Sequence, residues 1–118
     1  MLEEVRDCLE NIQTSIRLID QRFEAIDSPD DFLSEPDGLF ALDAIAMRLQ
    51  IIGENVKSLA KLSPDHLERF NDVEWQKIMR LRDLISHHYD ALDHEIIFNI
   101  CQIHIPALRL VVGKMLED

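Results

Sequence analysis

The chain has 118 residues, 47% of them hydrophobic and 30% charged, which suits one modest globular domain over residues 1–118 and excludes a disordered segment. Twelve Lys and Arg against 23 Asp and Glu give a net charge of −11, which opposes broad, nonspecific attraction to nucleic acid and leaves room only for local phosphate contacts. There is no run of about 18 apolar residues and no charged-then-apolar leader, so the expectation is a cytoplasmic protein with no membrane span.

The first predicted helix is written in heptads. Leu2, Val5, Leu9, Ile12, Ile16, Ile19, Phe23 and Ile26 step by three and four, keeping one apolar seam on one face. Glu3, Arg6, Asp7, Glu10, Arg17 and Asp20 fill the opposite face, and Asp27-Ser28-Pro29 ends the helix. Residues 30–38 read as a polar connection. Ser34 and Pro36 suit the start of a second helix, whose seam is Leu42, Ile45, Leu49, Ile52, Val56 and Leu59. Gly53 sits inside that helix at a cost of about 1 kcal/mol against alanine. It serves either close helix packing or space beside Glu54 for a ligand or partner.

Residues 61–73 form a longer joint, with a short helical piece running through Phe70. A third helix begins near Asp72–Trp75, carries Ile78, Leu81 and Ile85 on one face, and fails around Ser86–Asp90. A fourth runs from about Asp93 to Met115. It is apolar on more than one face, and the excess points to a subunit interface. Pro106 inside it should kink or interrupt it. The whole predicts an all-α, up-down four-helix bundle with a possible short extra helix and a kinked last helix. Cys8 and Cys101 each lie in an apolar-periodic stretch and read as buried free thiols.

The third helix also carries the chemistry. Arg82-Asp83-Leu84-Ile85-Ser86-His87-His88-Tyr89 places a permanent cation, two imidazoles and a phenol within eight residues. A guanidinium offers a planar fork of donors that fits phosphate oxygens. An imidazole titrates near neutrality and can give or take a proton. Together they suffice for metal-free RNA cleavage, with His87 activating a ribose 2′-hydroxyl or protonating the leaving oxygen, and Arg82 stabilising charge on the phosphoryl group. An unbroken helix would set Arg82 and His87 about 140° apart. Either the helix ends before His87, or a second copy of the chain completes the site. Read without further context, Arg82 would be a surface ion-pair partner and His87 a helix-end cap. His88 follows Ile85 by three residues and can equally pack against the core. No HExxH, Cys/His framework or glycine-rich loop is present, so neither a metal nor a cofactor is expected.

Arg82, His87 and Tyr89 spell R-x4-H-x-Y. With Ile52-Gly53-Glu54-Asn55-Val56, Val73-Glu74-Trp75-Gln76-Lys77-Ile78 and Pro106, in that order along nearly the whole chain, this resembles the HEPN superfamily and within it the HepT-like toxins. The resemblance implies a homodimer with two Arg–His pairs facing one cleft. It also implies an endoribonuclease toxin of a two-component system, with RNA as substrate. The matching tyrosine, Tyr89, would be adenylylated by a partner nucleotidyltransferase antitoxin, adding charge and bulk that keep RNA phosphates out of the cleft. Asp83 departs from the family, where Asn commonly follows the Arg. A carboxylate there either repels phosphate or orients a histidine. Asp83, His88 and Glu54 are therefore supporting candidates beside Arg82 and His87. The alternative is a non-catalytic helical module that docks a nucleotidyltransferase or binds a nucleotide. The charge of −11 and Asp83 favour it.

Overall fold

Apolar residues three and four apart fall on one side of an α-helix, and burying that side drives the helices together. A computed structural model describes every residue of the chain except Tyr89, and describes His88 by its backbone alone. The described residues form α1 (Glu3–Phe23), a 3₁₀ turn (Pro29–Leu33), α2 (Asp37–Leu62), the short α3 (Pro64–Arg69), α4 (Trp75–His88) and α5 (His94–Glu117), with no strand among them. Most of the predicted seams are the core, though Leu2 at the start of the first stays exposed and Phe23 is half-buried. Val5, Leu9, Ile12, Ile16 and Ile19 of α1 and Leu42, Ile45, Leu49, Ile52, Val56 and Leu59 of α2 are buried. Each such side chain contributes roughly 1.5–3 kcal/mol on leaving water. Helix α2 lies between α1 and α4, and α5 closes the bundle against α1.

Two boundaries differ from the sequence expectation. Helix α1 stops at Phe23, four residues short of Asp27, and part of the connection over 30–38 is ordered as the 3₁₀ turn. The cause is a cap. The Asp31 carboxylate accepts the backbone N–H of Asp27 at 2.8 Å and of Ser28 at 3.1 Å, drawing both away from α1. The turn then places Phe32 fully inside the core, in contact range of Phe23 with ring centroids 6.4 Å apart. Those same N–H groups hold the Asp31 carboxyl below the usual aspartate range. A depressed folded pKa stabilises above the unfolded value near 4 and is lost as pH falls through the folded value. Asp31→Asn should therefore melt earlier than the parent at pH 7. The gap should close as the pH is taken below about 4, followed by circular dichroism. A gap that stays constant with pH would mean the cap does not act through charge.

Pro106 interrupts α5 in a specific way. The helix runs through it, but residues Ile100–His104 widen into a π turn and the Ile105 N–H reaches back to Ile100 O. Proline lacks an N–H and crowds the carbonyl four residues before it, and the wider turn takes up that mismatch. Asp93 caps the start of the helix by accepting from the N–H groups of Glu95 and Ile96. The 24 residues of α5 are long and apolar enough in composition to cross a membrane. Burial of Ile97, Ile105, Leu108, Val111, Val112 and Met115, with an Arg109–Asp20 ion pair at 2.6 Å, ties the helix into the bundle. Ile96, Ile103 and Leu110, seven residues apart, stay exposed on the outside of α5. Cys101 is buried, and burial pushes its thiol up to about 12; Cys8 is only half-buried.

Candidate active site

Helix α4 is fixed from its first residue. Trp75 is buried and donates its indole N–H to Phe70 O at 2.8 Å, and Ile85 is buried ten residues on. Between them α4 runs along α2 at unusually short range, and the reason is Gly53. A Cβ there would lie 2.9 Å from the Arg82 backbone nitrogen, closer than real Cβ contacts come, and 3.0 Å from Ile78 O, at the edge of that limit. Only glycine lets the two backbones approach like this. Of the two readings of Gly53, close packing is the one the geometry supports, and it acts directly on the backbone that carries Arg82.

The neighbouring positions of α2 then meet α4 in reverse order, so the two helices are antiparallel. Gln50 Nε2 donates to Ser86 Oγ at 2.9 Å, and one turn along α2 the Glu54 carboxylate forms an ion pair with Arg82 Nε. On the other side of α2, Asn55 accepts from Asn11 of α1 at 3.3 Å. Arg82 is 41% exposed, with one edge of its guanidinium held by Glu54. Asp83 Oδ1 lies 3.4 Å from Arg82 Nη1 and is itself largely exposed. Lys77, Arg80 and Arg82 lie close together along α4; Lys77 pairs with Glu74 at 2.8 Å and Arg82 with Glu54 and Asp83, so much of the local positive charge is already matched.

Helix α4 does not end before His87; it continues through His88. One of the two alternatives for the Arg–His pair is thereby removed. His87 is exposed and no hydrogen bond or ion pair joins it to another described residue. Five residues of helix turn it about 140° from Arg82. Within one protomer the two groups point to different quarters of the surface. Tyr89 and the side chain of His88 lie outside the described residues. His66 is buried against Asp118 at 3.4 Å, and His94 reaches Asp30 at 3.2 Å. Among the described residues no three His, Cys, Asp or Glu side chains are grouped to hold a metal.

Sequence reasoning missed an outward seam on α2. Phe40 and Met47 are more than half exposed and recur with Glu54 every seven residues, with half-buried Ile51 between them. It was legible as a second heptad phase beside the buried one, overshadowed by the longer run of Leu and Ile. The seam leads to Glu54 and hence to Arg82. A separate groove of about 330 Å³ runs between α4 and α5, lined by Ile78, Leu81, Leu84, Ile96 and Ile100 among others, and includes neither Arg82 nor His87.

An antiparallel helical bundle that carries Arg82 and His87 on one helix is the arrangement the HEPN resemblance implies. The chain belongs to the family described as Ribonuclease HepT-like, which matches residues 12–115. A Caldanaerobacter subterraneus subsp. tengcongensis protein named "Putative RNase" is 31% identical over 95% of this chain and 94% of its own length. A Thermococcus cleftensis protein named "Probable ribonuclease HepT" is 30% identical over 88% of each. The Methanocaldococcus jannaschii "Gamma-glutamylcyclotransferase and putative RNase" is 28% identical across the whole of this chain, which spans 50% of that relative's length. No solved structure matches the chain.

Proposed function

We propose that the chain is a metal-independent endoribonuclease that works as a homodimer and serves as the toxin of a two-component module. Its partner would be a nucleotidyltransferase that silences it by adenylylating Tyr89. The observation that carries the reading is the unbroken α4. It holds Arg82 against α2 and turns His87 outward, so the pair becomes a site only when a second protomer supplies the missing half. The apolar seam of Phe40, Met47 and Ile51, which leads to Glu54, gives a second copy something to bury on that side. In such a dimer His87 of one protomer takes the 2′-hydroxyl proton, and the 2′-oxygen attacks the phosphorus. The bond to the 5′-oxygen breaks, that oxygen takes a proton from water as it leaves, His87 gives its own proton back to solvent, and Arg82 of the other protomer stabilises the phosphoryl charge. The products are a 2′,3′-cyclic phosphate and a 5′-hydroxyl.

Family membership and the names of the relatives support RNA as substrate. The expected result is cleavage of mixed RNA by purified protein in EDTA, leaving 2′,3′-cyclic ends, with a loss on the order of a hundredfold or more in His87→Ala. Absence of cutting by the parent, together with normal growth of cells expressing it alone, would favour the binding-module reading. One observation speaks for that second reading: Arg82 is engaged by two carboxylates in a chain of net charge −11, leaving a phosphate to compete for it.

A further inference from the structure

We propose that Glu54 and Asp83, though both carboxylates touch Arg82, act on it in opposite senses: Glu54 positions the guanidinium for phosphate, and Asp83 competes with phosphate for it. The inference rests on the ribonuclease reading and assigns the regulation of that site to two residues of this chain.

A guanidinium has two edges able to grip an oxyanion, one through Nε and a terminal nitrogen, the other through both terminal nitrogens. Glu54 engages Nε. It reaches there because Gly53 brings α2 against the backbone of Arg82, and the neighbouring Gln50–Ser86 bond holds the crossing in register. Fixing Nε fixes the plane of the whole fork, because the guanidinium is rigid. The outer edge is then aimed at solvent with little freedom left to lose when a phosphate arrives. Asp83 sits on that outer edge. Nη1 donates a long hydrogen bond to its Oδ1 at 3.4 Å, and its side chain is 64% exposed. A loose, solvated ion pair is weak and is readily displaced. Its charge nevertheless stays beside the incoming phosphate, on the edge the phosphate needs. The two carboxylates thus differ in which nitrogen they hold, and that difference sets the sign of their effect.

Neutral isosteres separate the roles. Fluorescent mixed-sequence RNA is titrated in EDTA against proteins carrying His87→Ala, so that binding is read without cleavage; turnover is measured with His87 intact. Asp83→Asn is expected to tighten binding about three- to fivefold at low salt, with the gain shrinking as salt rises. Glu54→Gln is expected to reduce turnover on the order of ten- to a hundredfold, chiefly in kcat, because the fork is no longer aimed. It should also shift the ¹⁵N–¹H resonance of the Arg82 Nε and speed its exchange with water, which Asp83→Asn should not do. Glu74→Gln, which removes a charge paired with Lys77 elsewhere along α4, is the control and should leave turnover unchanged. If Asp83→Asn and Glu54→Gln tighten RNA binding alike, or if the Nε resonance ignores Glu54→Gln, the carboxylates only dilute charge and the assignment is overturned. A parent protein that binds RNA but never cuts it sinks the nuclease reading instead, while the binding and resonance data still test the Glu54–Asp83 division.

Discussion

Equal mixtures of Arg82→Ala and His87→Ala protein, each inactive alone, are expected to recover about a quarter of parental RNA cleavage once their subunits exchange. The number follows from the geometry. If each site takes Arg82 from one protomer and His87 from the other, a mixed dimer holds one site with both groups intact and one with neither. Random exchange makes about half of the dimers mixed, and each carries one of two possible sites. If instead both groups served within one protomer, mixing would restore nothing. Each variant alone should lose on the order of 10²–10⁴-fold, the range for removing an acid–base group or a charge-stabilising donor. A mixture as dead as its components, with subunit exchange shown by mass spectrometry, would rule out the shared site.

The second large effect concerns Gly53. Its replacement by alanine places a methyl within 2.9 Å of the Arg82 backbone nitrogen and 3.0 Å of Ile78 O, and neither can swing aside as a side-chain tip could. Helices α2 and α4 must part. Overpacking of this kind costs about 1–3 kcal/mol, offset in part by the roughly 1 kcal/mol that alanine gains over glycine in a helix. The melting temperature should fall by about 5 °C, and cleavage should fall further than stability alone explains, because the Glu54–Arg82 contact opens with the helices. Gly113 supplies the contrast. No atom lies within 4 Å of a Cβ built there, so Gly113→Ala should raise the melting temperature by a few degrees. Calorimetry of the two variants side by side checks both signs. A Gly53→Ala protein as stable and as active as its parent would contradict the close-approach account.

Much of the fold was legible because burial is periodic. The seams of α1 and α2, the start of α5 at Asp93 and the short α3 all follow from spacing and end signals. The misread stretches share a cause: a side chain outbids the local backbone preference. Asp31 draws the N–H groups of Asp27 and Ser28 away from α1, and Phe32, alone among polar neighbours, carries no period to announce its burial. The site was half legible. The angular separation of Arg82 and His87 follows from helix geometry alone. That α4 stays helical past Ser86 depends on its anchoring by Trp75, Ile85 and the Gln50–Ser86 bond. The partner of Arg82 was harder to see, since Glu54 lies on another helix and no local pattern relates two positions brought together by a glycine-mediated crossing.

The widened turn over Ile100–His104 has a consequence for how the end of the chain is built. One extra residue in a turn delays everything beyond it by about 100° of rotation. Ile97 and Met115 are 18 residues apart, five whole turns of a regular helix, so the extra residue turns the later part of the apolar stripe out of line with the earlier one. The bulge therefore works as a swivel: the start of α5 lies against the 3₁₀ turn, while its second half, with Leu108, Val111, Val112 and Met115 buried, lies against α1.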